Sequence, residues 1–311
     1  MTSEYDLVVI GGGAAGLAAA QYGARASLRT LVVEELAAGG QALLIDGLEN
    51  YPGVQGPLSG YEFAQTMRAQ AESFGAEFLS ASVSSLRREK GRFEIGTTEG
   101  DLRALAVILA TGAKHRHLGV PGEEEFAGRG VSYCATCDGP FFKGKRIVVV
   151  GGGDAACDEA MYLAKLSDRI LMVHRKDRFR AQRALAERVL ANPHIETRFN
   201  TVVAEIRGDK KVGSVVLERV DTKERAEEAA EAVFVFVGSI PQTALAPAEV
   251  KDEAGSIRTD ERMATSVPGL FAAGDVRVTP FRQLVTSCSD GAIAAHSASQ
   301  YIDELRGKAY A

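Results

Sequence analysis

Short apolar runs alternate along the chain with segments whose apolar residues recur at helical spacing. The runs lie at 7–10, 107–112, 147–150, 170–173, 233–238 and 270–275, and all but 170–173 have a glycine at or next to their end. Runs of this length that end at turn residues are typical of buried strands. Amphipathic patterns at about 61–74, 178–190 and 292–305 indicate helices. Strands and helices that interleave in this way predict an α/β fold.

Two of the predicted strands run directly into a glycine-rich turn that opens a helix. The first glycine turn is Gly11-Gly12-Gly13-Ala14-Ala15-Gly16, and the second is Gly151-Gly152-Gly153-Asp154-Ala155-Ala156. In such a turn the first glycine permits the sharp bend, the second lets the backbone approach a pyrophosphate, and the third small residue packs helix on strand. The recurrence predicts two nucleotide-binding domains built on one plan.

The residues after each turn suggest different nucleotides. Glu34 ends the next apolar run after the first turn, where a carboxylate would meet a ribose hydroxyl. After the second turn, the matching run ends in His174-Arg175-Lys176, and Arg180 follows. This basic cluster would attract the 2′-phosphate of NADP, so NADP is favoured over NAD. For the first turn, the alternative is a glycine-rich turn that binds no ligand. For the basic cluster, the alternative is a solvated, basic start to a helix.

Two of the four cysteines form a Cys-x-x-Cys motif, Cys134-Ala135-Thr136-Cys137, which Asp138 follows. This spacing allows a turn to bring the sulfurs within bonding distance. A zinc half-site would need two more ligands, and Cys157 and Cys288 show no paired spacing, so we predict no metal. Inert core cysteines are a second alternative. A cycling disulfide is preferred, because Asp138 could protonate a leaving thiolate.

Composition and charge narrow the class further. The 311 residues suffice for two domains, and the net charge of −5 comes without a long basic run, so nucleic-acid binding is not expected. No apolar run approaches the length that spans a membrane. The first residues lack the basic region of a signal peptide. These features predict a cytoplasmic protein.

Together with further motifs, these residues resemble the low-molecular-weight thioredoxin reductase family. The resemblance runs from end to end, in the order and spacing of the family, and includes Gly39-Gly40-Gln41, Glu49-Asn50-Tyr51-Pro52-Gly53, Thr111-Gly112, Gly274-Asp275 and Arg282-Gln283. It implies a homodimeric flavoprotein with two Rossmann-like, three-layer domains. An FAD domain of residues 1–115 and 244–311 would enclose an inserted NADPH domain of residues 116–243.

The resemblance also implies roles for individual residues. Cys137 matches the thiol nearest the flavin, Cys134 the thiol that attacks the disulfide of a partner, and Asp138 the proton donor. Asp275 would hold the ribityl chain of FAD, and Arg129 matches a basic residue on the side where the partner docks. The cofactor-binding residues implied are Gly11, Gly13, Ala15, Gly16, Glu34, Gly40, Gln41, Asn50, Thr111, Gly112, Gly274, Asp275, Arg282 and Gln283 toward FAD, and Gly151, Gly153, Asp154, Ala155, His174, Arg175, Lys176 and Arg180 toward NADPH.

The implied activity is the reduction of thioredoxin, or a thioredoxin-like disulfide protein, by NADPH through FAD and the Cys134–Cys137 disulfide. The domains would rotate about hinges near 113–118 and 238–243. An enzyme of this fold that takes electrons from ferredoxin is one alternative, although it should lack the basic cluster that this chain keeps. Pro140 also occurs in related reductases that serve peroxidases. Those carry an extra N-terminal region, whereas this sequence begins at its first predicted strand.

Several remaining features receive ordinary structural interpretations. We expect Asp290 to cap the start of the last helix, and His296 to be a helical residue without a catalytic role. Cys157 should fill a small space in the core. The charged segment 222–231 is predicted to be a hairpin tip or a surface loop.

Overall fold

The chain folds into two compact units in the computed structural model, which describes residues 3–56 and 58–308. The terminal unit combines the chain up to Lys114 with the chain from Pro241 onward, and the inserted unit is His115–Ile240. The chain therefore passes between the units twice. Both crossings fall within the stretches 113–118 and 238–243 that the sequence suggests as hinges.

Strands and helices alternate along both units. The strands are β1 Ser3–Ile10, β2 Thr30–Glu34, β3 Glu77–Ser80, β4 Val83–Glu89, β5 Arg92–Thr97, β6 Gly100–Leu109, β7 Ala113–His115, β8 Val131–Ser132, β9 Ile147–Gly151, β10 Ile170–Val173, β11 Ile195–Arg198, β12 Thr201–Gly208, β13 Val212–Arg219, β14 Arg225–Ala229, β15 Ala232–Phe236, β16 Ser239–Pro241 and β17 Leu270–Ala272. The α-helices are α1 Ala14–Arg25, α2 Gly60–Ser73, α3 Ala135–Asp138, α4 Asp154–Leu163, α5 Arg183–Ala191 and α6 Leu284–Leu305. Short 3₁₀ segments occur at Gly40–Leu44, Gly139–Phe142, Ala248–Val250 and Gly274–Val276.

The terminal unit is built on a sheet whose strands follow the order β3-β2-β1-β6-β5-β4, with β17 paired to β6. The pairs among β3, β2, β1, β6 and β17 are parallel, whereas β5 pairs antiparallel with both β6 and β4. Successive residues of β1 contribute to opposite cores. Leu7 and Val9 join one buried cluster, and Val8 and Ile10 join another. Because both faces are covered there, the strand is apolar from Leu7 to Ile10, as its sequence predicts.

The inserted unit contains a second parallel sheet, with strand order β11-β10-β9-β15-β8. Its central strands β9 and β15 are also buried on both faces, with Val149 and Phe234 in one core cluster and Val148 and Val233 in another. Two parallel sheets with helices packed on them confirm the predicted α/β fold class and its two Rossmann-like domains.

An antiparallel sheet of β12, β13 and β14 completes the inserted unit. The prediction of a hairpin tip or loop at 222–231 is only partly right, because Arg225–Ala229 forms β14. The hairpin turn lies just before it, where the Arg219 and Glu224 backbones are joined by a hydrogen bond of 2.9 Å. Opposite charges on neighbouring strands stabilise this pairing, for example Arg225 and Glu218 at 2.8 Å.

Two predicted helices begin elsewhere than the apolar pattern indicates. Helix α5 begins at Arg183 instead of near 178, because the preceding segment is tied to the second glycine turn: the Arg180 N–H donates to the Gly152 carbonyl, and the Gln182 N–H donates to Asp154 Oδ1, both at 2.7 Å. Helix α6 begins at Leu284, well before 292. Its first turns are rich in small polar residues, so the apolar period does not reveal them.

Helix α6 packs closely on α1 at Gly291. A Cβ at Gly291 would lie 2.0 Å from the Ala15 carbonyl oxygen and 3.1 Å from the Ala19 nitrogen. Both contacts are to backbone, which cannot move aside as a flexible side chain would. The small residue is therefore required by the packing of the two helices.

We expect Gly291→Ala to lower the free energy of unfolding by about 1–3 kcal/mol, because the added methyl group forces the two helices apart. The thermal unfolding midpoint measures this change. His296→Ala, at an exposed position of the same helix, is the matched control and should stay within about 0.5 kcal/mol of the parent protein. An unchanged midpoint for Gly291→Ala would show that α1 and α6 are not packed this closely.

Candidate active site

The first glycine turn brings the end of β1 against the start of α1. Gly11 has a φ of +105°, and a Cβ there would lie 2.4 Å from the Ala110 carbonyl oxygen. A Cβ at Gly16 would lie 1.9 Å from the Gly11 carbonyl oxygen. Larger residues are excluded at both positions, so strand and helix approach as closely as the sequence predicts.

The same turn leaves room for a diphosphate. A Cβ at Gly13 would have no atom of residues 3–56 or 58–308 within 4 Å. Gly13 directly precedes α1 and has no side chain that could cap it, so the first N–H groups of a twelve-residue helix face that space. The Glu34 carboxylate accepts the Gly12 N–H at 2.6 Å and the Leu36 N–H at 2.9 Å. Glu34 thus lies at the turn, as predicted, and its position is fixed by two backbone donors.

Other residues predicted to surround FAD also lie in the terminal unit, where hydrogen bonds fix the positions of several of them. The Gly39 N–H donates to the Gly12 carbonyl at 2.8 Å, which places the neighbouring Gly40 beside the turn. The Asn50 amide donates to Gln283 Oε1 at 3.0 Å, across 233 residues of sequence. The Thr111 hydroxyl donates to the Gln242 carbonyl at 2.6 Å. The Gln41 amide reaches the Ala113 carbonyl at 3.5 Å.

Asp275 lies in the short 3₁₀ segment after β17. Burial raises the pKa of its carboxyl, and the nearby Arg282 partly opposes this shift, while Asp290 adds to it. An acid that is costly to ionise and has a cation nearby suits a hydroxyl-rich ligand, which it can contact as donor or acceptor.

The interpretation of Asp290 as a helix cap is wrong. Because α6 begins at Leu284, Asp290 lies within the helix and is buried. Its Oδ2 accepts from the Arg277 guanidinium at 3.0 Å and from the Gly274 N–H at 3.2 Å. The pair is largely shielded from water, with side chains 14% and 12% exposed, so it contributes more than an ion pair in open solvent. Arg277 and Asp290 therefore hold the segment that carries Asp275, a function that the sequence analysis missed.

The second glycine turn repeats the construction in the inserted unit. A Cβ at Gly151, where φ is +153°, would lie 2.4 Å from the Phe236 carbonyl oxygen. A Cβ at Gly153 would meet no described atom within 4 Å. Asp154 opens α4, and its carboxylate accepts from the Gln182 backbone at 2.7 Å and from the Gln182 side chain at 3.1 Å. The second turn therefore leaves open space of the same kind as the first, next to Ala155.

The basic cluster follows the neighbouring strand β10. The side chains of Arg175, Lys176 and Arg180 are exposed, and the Arg180 backbone is bonded to the second glycine turn at Gly152. His174 is buried directly beneath Gly152, where a Cβ would lie 2.3 Å from its Nδ1. Three exposed cations beside an open backbone turn fit the phosphates of NADPH.

His174 differs from the other members of the cluster. Burial lowers the pKa of its imidazole, and the charges of Arg180 and Arg175 lower it further. Its Nε2 is buried and has no hydrogen-bond partner among the described residues. A neutral ring in this position fits a packing role beneath the turn better than a role in charge recognition.

Cys134 and Cys137 form a disulfide bond with a Cα–Cα distance of 5.4 Å. Cys134 directly precedes the single turn α3, and its sulfur accepts the Cys137 N–H at 3.1 Å. Cys137 is exposed and Cys134 is half-buried. One sulfur is thus open to attack, while the other has a donor that can stabilise a thiolate.

Asp138 is held by Ser132, a residue that the sequence analysis did not single out. The Ser132 hydroxyl donates to Asp138 Oδ2 at 2.6 Å and accepts the Cys134 N–H at 3.1 Å. This serine is buried at the end of β8. It therefore links the carboxylate to the backbone of the half-buried cysteine.

The other two cysteines are buried free thiols. Burial, with the charges of Asp158 and Asp154, raises the pKa of Cys157 to about 12. Burial also raises the pKa of Cys288. Both stay protonated and unreactive, as expected for a core residue. Among residues 3–56 and 58–308, no cluster of three or more His, Cys, Asp or Glu side chains is arranged to hold a metal.

Comparison with known proteins gives a consistent result. The model of the family described as pyridine nucleotide-disulphide oxidoreductase matches residues 5–299. A thioredoxin reductase of Treponema pallidum (strain Nichols) is 56% identical over 306 residues, which are 98% of this chain and 100% of the relative. The crystal structure of Lactococcus lactis thioredoxin reductase has a TM-score of 0.95 at 41% identity, covering 97% of this chain and 100% of that one. The thioredoxin reductase of T. acidophilum has a TM-score of 0.91 at 36% identity, covering 97% and 99%.

The chain belongs to the pyridine nucleotide-disulphide oxidoreductase family. The resemblance noted in the sequence, the enzyme class and the cofactors FAD and NADPH are confirmed. No helix in the described part of the chain is long and apolar enough to cross a membrane.

Proposed function

We propose that this chain reduces thioredoxin with electrons from NADPH, through FAD and the Cys134–Cys137 disulfide. The observation that carries the proposal is the bonded cysteine pair with one exposed sulfur, next to a carboxyl group held by a buried hydroxyl. Two glycine turns of nucleotide-binding geometry accompany it, one in each unit. A disulfide alone could be structural, whereas this combination supports a redox cycle.

The terminal unit would hold FAD. The helix α1 N–H groups above Gly13 would bind its diphosphate, and Glu34 would accept from a ribose hydroxyl while it holds the turn. Asp275 would bind the ribityl chain, with Asn50 and Gln283 positioned by their mutual hydrogen bond. FAD, when bound, supplies the transfer of two electrons between a nicotinamide and a disulfide. The protein supplies the binding and orientation.

The inserted unit would hold NADPH. Its diphosphate would lie over Gly153 at the start of α4, and the 2′-phosphate would be bound by Arg175, Lys176 and Arg180. The Asp154 carboxylate accepts hydrogen bonds from both the backbone and the side chain of Gln182. We therefore infer that Asp154 stabilises the conformation of the turn.

The disulfide chemistry follows from the placement of its groups. When two electrons arrive at Cys137, the S–S bond breaks, and the Cys134 sulfur takes a proton from Asp138. Asp138 then takes this proton back, and the resulting Cys134 thiolate attacks the disulfide of thioredoxin, whose released sulfur takes up a proton from solvent. Attack by the Cys137 thiolate on the mixed disulfide restores the Cys134–Cys137 bond and releases reduced thioredoxin.

The surface next to the disulfide supports a protein as acceptor. Phe141 follows the cysteine motif closely and is 80% exposed, which is unusual for a large aromatic residue. Arg129 lies over the Phe126 ring and donates to the Glu125 carbonyl. Exposed aromatic residues and arginines are both common on protein-binding surfaces.

We expect NADPH to bleach the flavin of the purified protein much faster than NADH, measured by anaerobic stopped-flow absorbance. The double variant Arg175→Ala/Lys176→Ala should raise the NADPH concentration for half-maximal bleaching by at least about tenfold, because it removes charge-assisted contacts to the 2′-phosphate. Its response to NADH and its flavin content should not change. This pattern would support NADPH in the inserted unit and FAD in the other.

Arg225→Ala is the matched control, since it removes an exposed arginine from the antiparallel sheet of the same unit. If NADPH fails to bleach the flavin while dithionite succeeds, the basic cluster does not bind the physiological donor. A ferredoxin-type donor would then replace NADPH in the proposal.

A second test concerns the acceptor step. We expect Cys134→Ser to keep rapid flavin reduction by NADPH and to lose electron transfer to oxidised thioredoxin, because the attacking sulfur is absent. NADPH consumption in the presence of thioredoxin measures the loss. Cys157→Ser, which alters a buried thiol, should retain the transfer. Thioredoxin reduction by Cys134→Ser would remove this sulfur from the mechanism.

We also propose that the chain works as a homodimer in the cytoplasm. The terminal unit exposes Tyr22, Tyr61 and Phe74 on or next to α1 and α2, and buried free thiols suit a reducing compartment. Sedimentation equilibrium should give twice the mass of one chain, and cell fractionation should place the protein with cytoplasmic markers. A single-chain mass at all concentrations would exclude the dimer.

A further inference from the structure

The Ser132 side chain occupies a position that links Asp138 to Cys134. Its hydroxyl is 2.6 Å from Asp138 Oδ2 and 3.2 Å from the Cys134 carbonyl oxygen, and it accepts the Cys134 N–H at 3.1 Å. Ser132 is only 4% exposed. A buried hydroxyl in this position has few alternatives to these partners.

The hydrogen-bonding capacity of the hydroxyl fits both protonation states of Asp138. A serine hydroxyl donates one hydrogen bond and can accept two. When Asp138 is charged, the hydroxyl donates to Oδ2. When Asp138 is neutral, its own O–H can donate to Ser132, whose proton can turn to the Cys134 carbonyl oxygen, since that acceptor is also in range. The Cys134 N–H is satisfied in both states.

A proton donor must pass between these two states in every turnover. A fixed carboxylate that loses the hydrogen bond to its buried partner in one state would turn away or bind its proton too tightly. The exchange of donor and acceptor roles at Ser132 avoids both, because it requires the rotation of one hydroxyl hydrogen and no movement of heavy atoms.

Another buried serine of the same unit shows what a structural role looks like. Ser167 accepts the N–H of the residue two positions later, Arg169, at 3.2 Å, as Ser132 does with Cys134. Its hydroxyl donates to the Lys145 carbonyl at 2.6 Å. Both serines thus accept the N–H two residues later. The Ser167 hydroxyl donates to a backbone carbonyl oxygen, whereas the Ser132 hydroxyl donates to a carboxylate.

We propose that Ser132 is a positioning residue that keeps Asp138 in place through both of its protonation states during proton transfer to the Cys134 sulfur. The inference rests on the proposed role of Asp138. It assigns to Ser132 a part in the redox reaction that acts only through this carboxylate.

The test measures reduction of the Cys134–Cys137 disulfide by dithiothreitol, which does not require NADPH or flavin turnover. A dithiothreitol thiolate attacks the exposed Cys137, Cys134 leaves and takes a proton, and the second dithiothreitol thiol then releases Cys137 as dithiothreitol closes to its cyclic disulfide. Alkylation at timed intervals and mass measurement count the free thiols. Flavin-linked reduction by NADPH is followed in parallel.

Ser132→Ala should slow disulfide reduction about tenfold, since it removes a hydrogen bond to a charged group, and Ser132→Thr should restore most of the rate. In the Asp138→Asn background, Ser132→Ala should add no further loss. The inference would be overturned if the rate of the double variant Ser132→Ala/Asp138→Asn fell by the product of the two single-variant reductions. An unchanged rate for Ser132→Ala would also overturn it. Ser167→Ala is the matched control and should leave the rate unchanged.

Two further results separate this inference from the function it rests on. If Asp138→Asn itself reacts at the normal rate, the carboxyl is not the proton donor, and both proposals about it fail. Asp138→Glu keeps the acid but moves it relative to Ser132, without altering the serine. It should also slow the reaction, and a normal rate would overturn the positioning role even if Ser132→Ala does not fold.

Discussion

Both nucleotide sites depend on the close approach of a strand end to the helix that follows it. In the first turn the Gly11 carbonyl oxygen lies where a Cβ of Gly16 would be, at 1.9 Å. In the second, a Cβ at Gly151 would lie 2.7 Å from the Cβ of Ala156, in the first turn of α4. This contact points the start of the helix at open space beside the sheet, where a diphosphate can reach unpaired N–H groups. A larger residue at either position would move the helix and remove the site.

The two units use this shared construction for different ligands, and the difference lies at the end of the next strand. In the terminal unit Glu34 presents a carboxylate whose two backbone donors keep it at the turn. In the inserted unit a neutral His174 packs under the turn, and the exposed Arg175 and Lys176 carry the charge. An anionic side chain suits a sugar hydroxyl, whereas exposed cations suit a phosphate. With the proposed assignment, one fold would support two nucleotide specificities through a few side chains at one place.

The sequence predicts those features that depend on near neighbours. Helix α2 occupies Gly60–Ser73 against a predicted 61–74, because its apolar period and its Ser59 and Glu62 capping box are local. Asp290 was misinterpreted because its partner, Arg277, is 13 residues away and is brought to it only by the turn at Gly274 and the buried start of α6. Ser132 was missed for a similar reason. Its bond to Asp138 depends on how β8 meets α3, which no periodicity in the sequence reports.

The four cysteines show how the surroundings decide which sulfur reacts. Cys157 lies in an apolar core, where burial, with a further contribution from two nearby carboxylates, raises its pKa to about 12 and keeps its thiol protonated. Cys134 has a backbone N–H directed at its sulfur, and Cys137 is open to solvent. A thiolate is the reactive form, and it is stabilised by donors and water but not by burial. The redox pair therefore lies where the chain turns sharply at a surface, and the buried thiols can coexist with it without taking part in disulfide exchange.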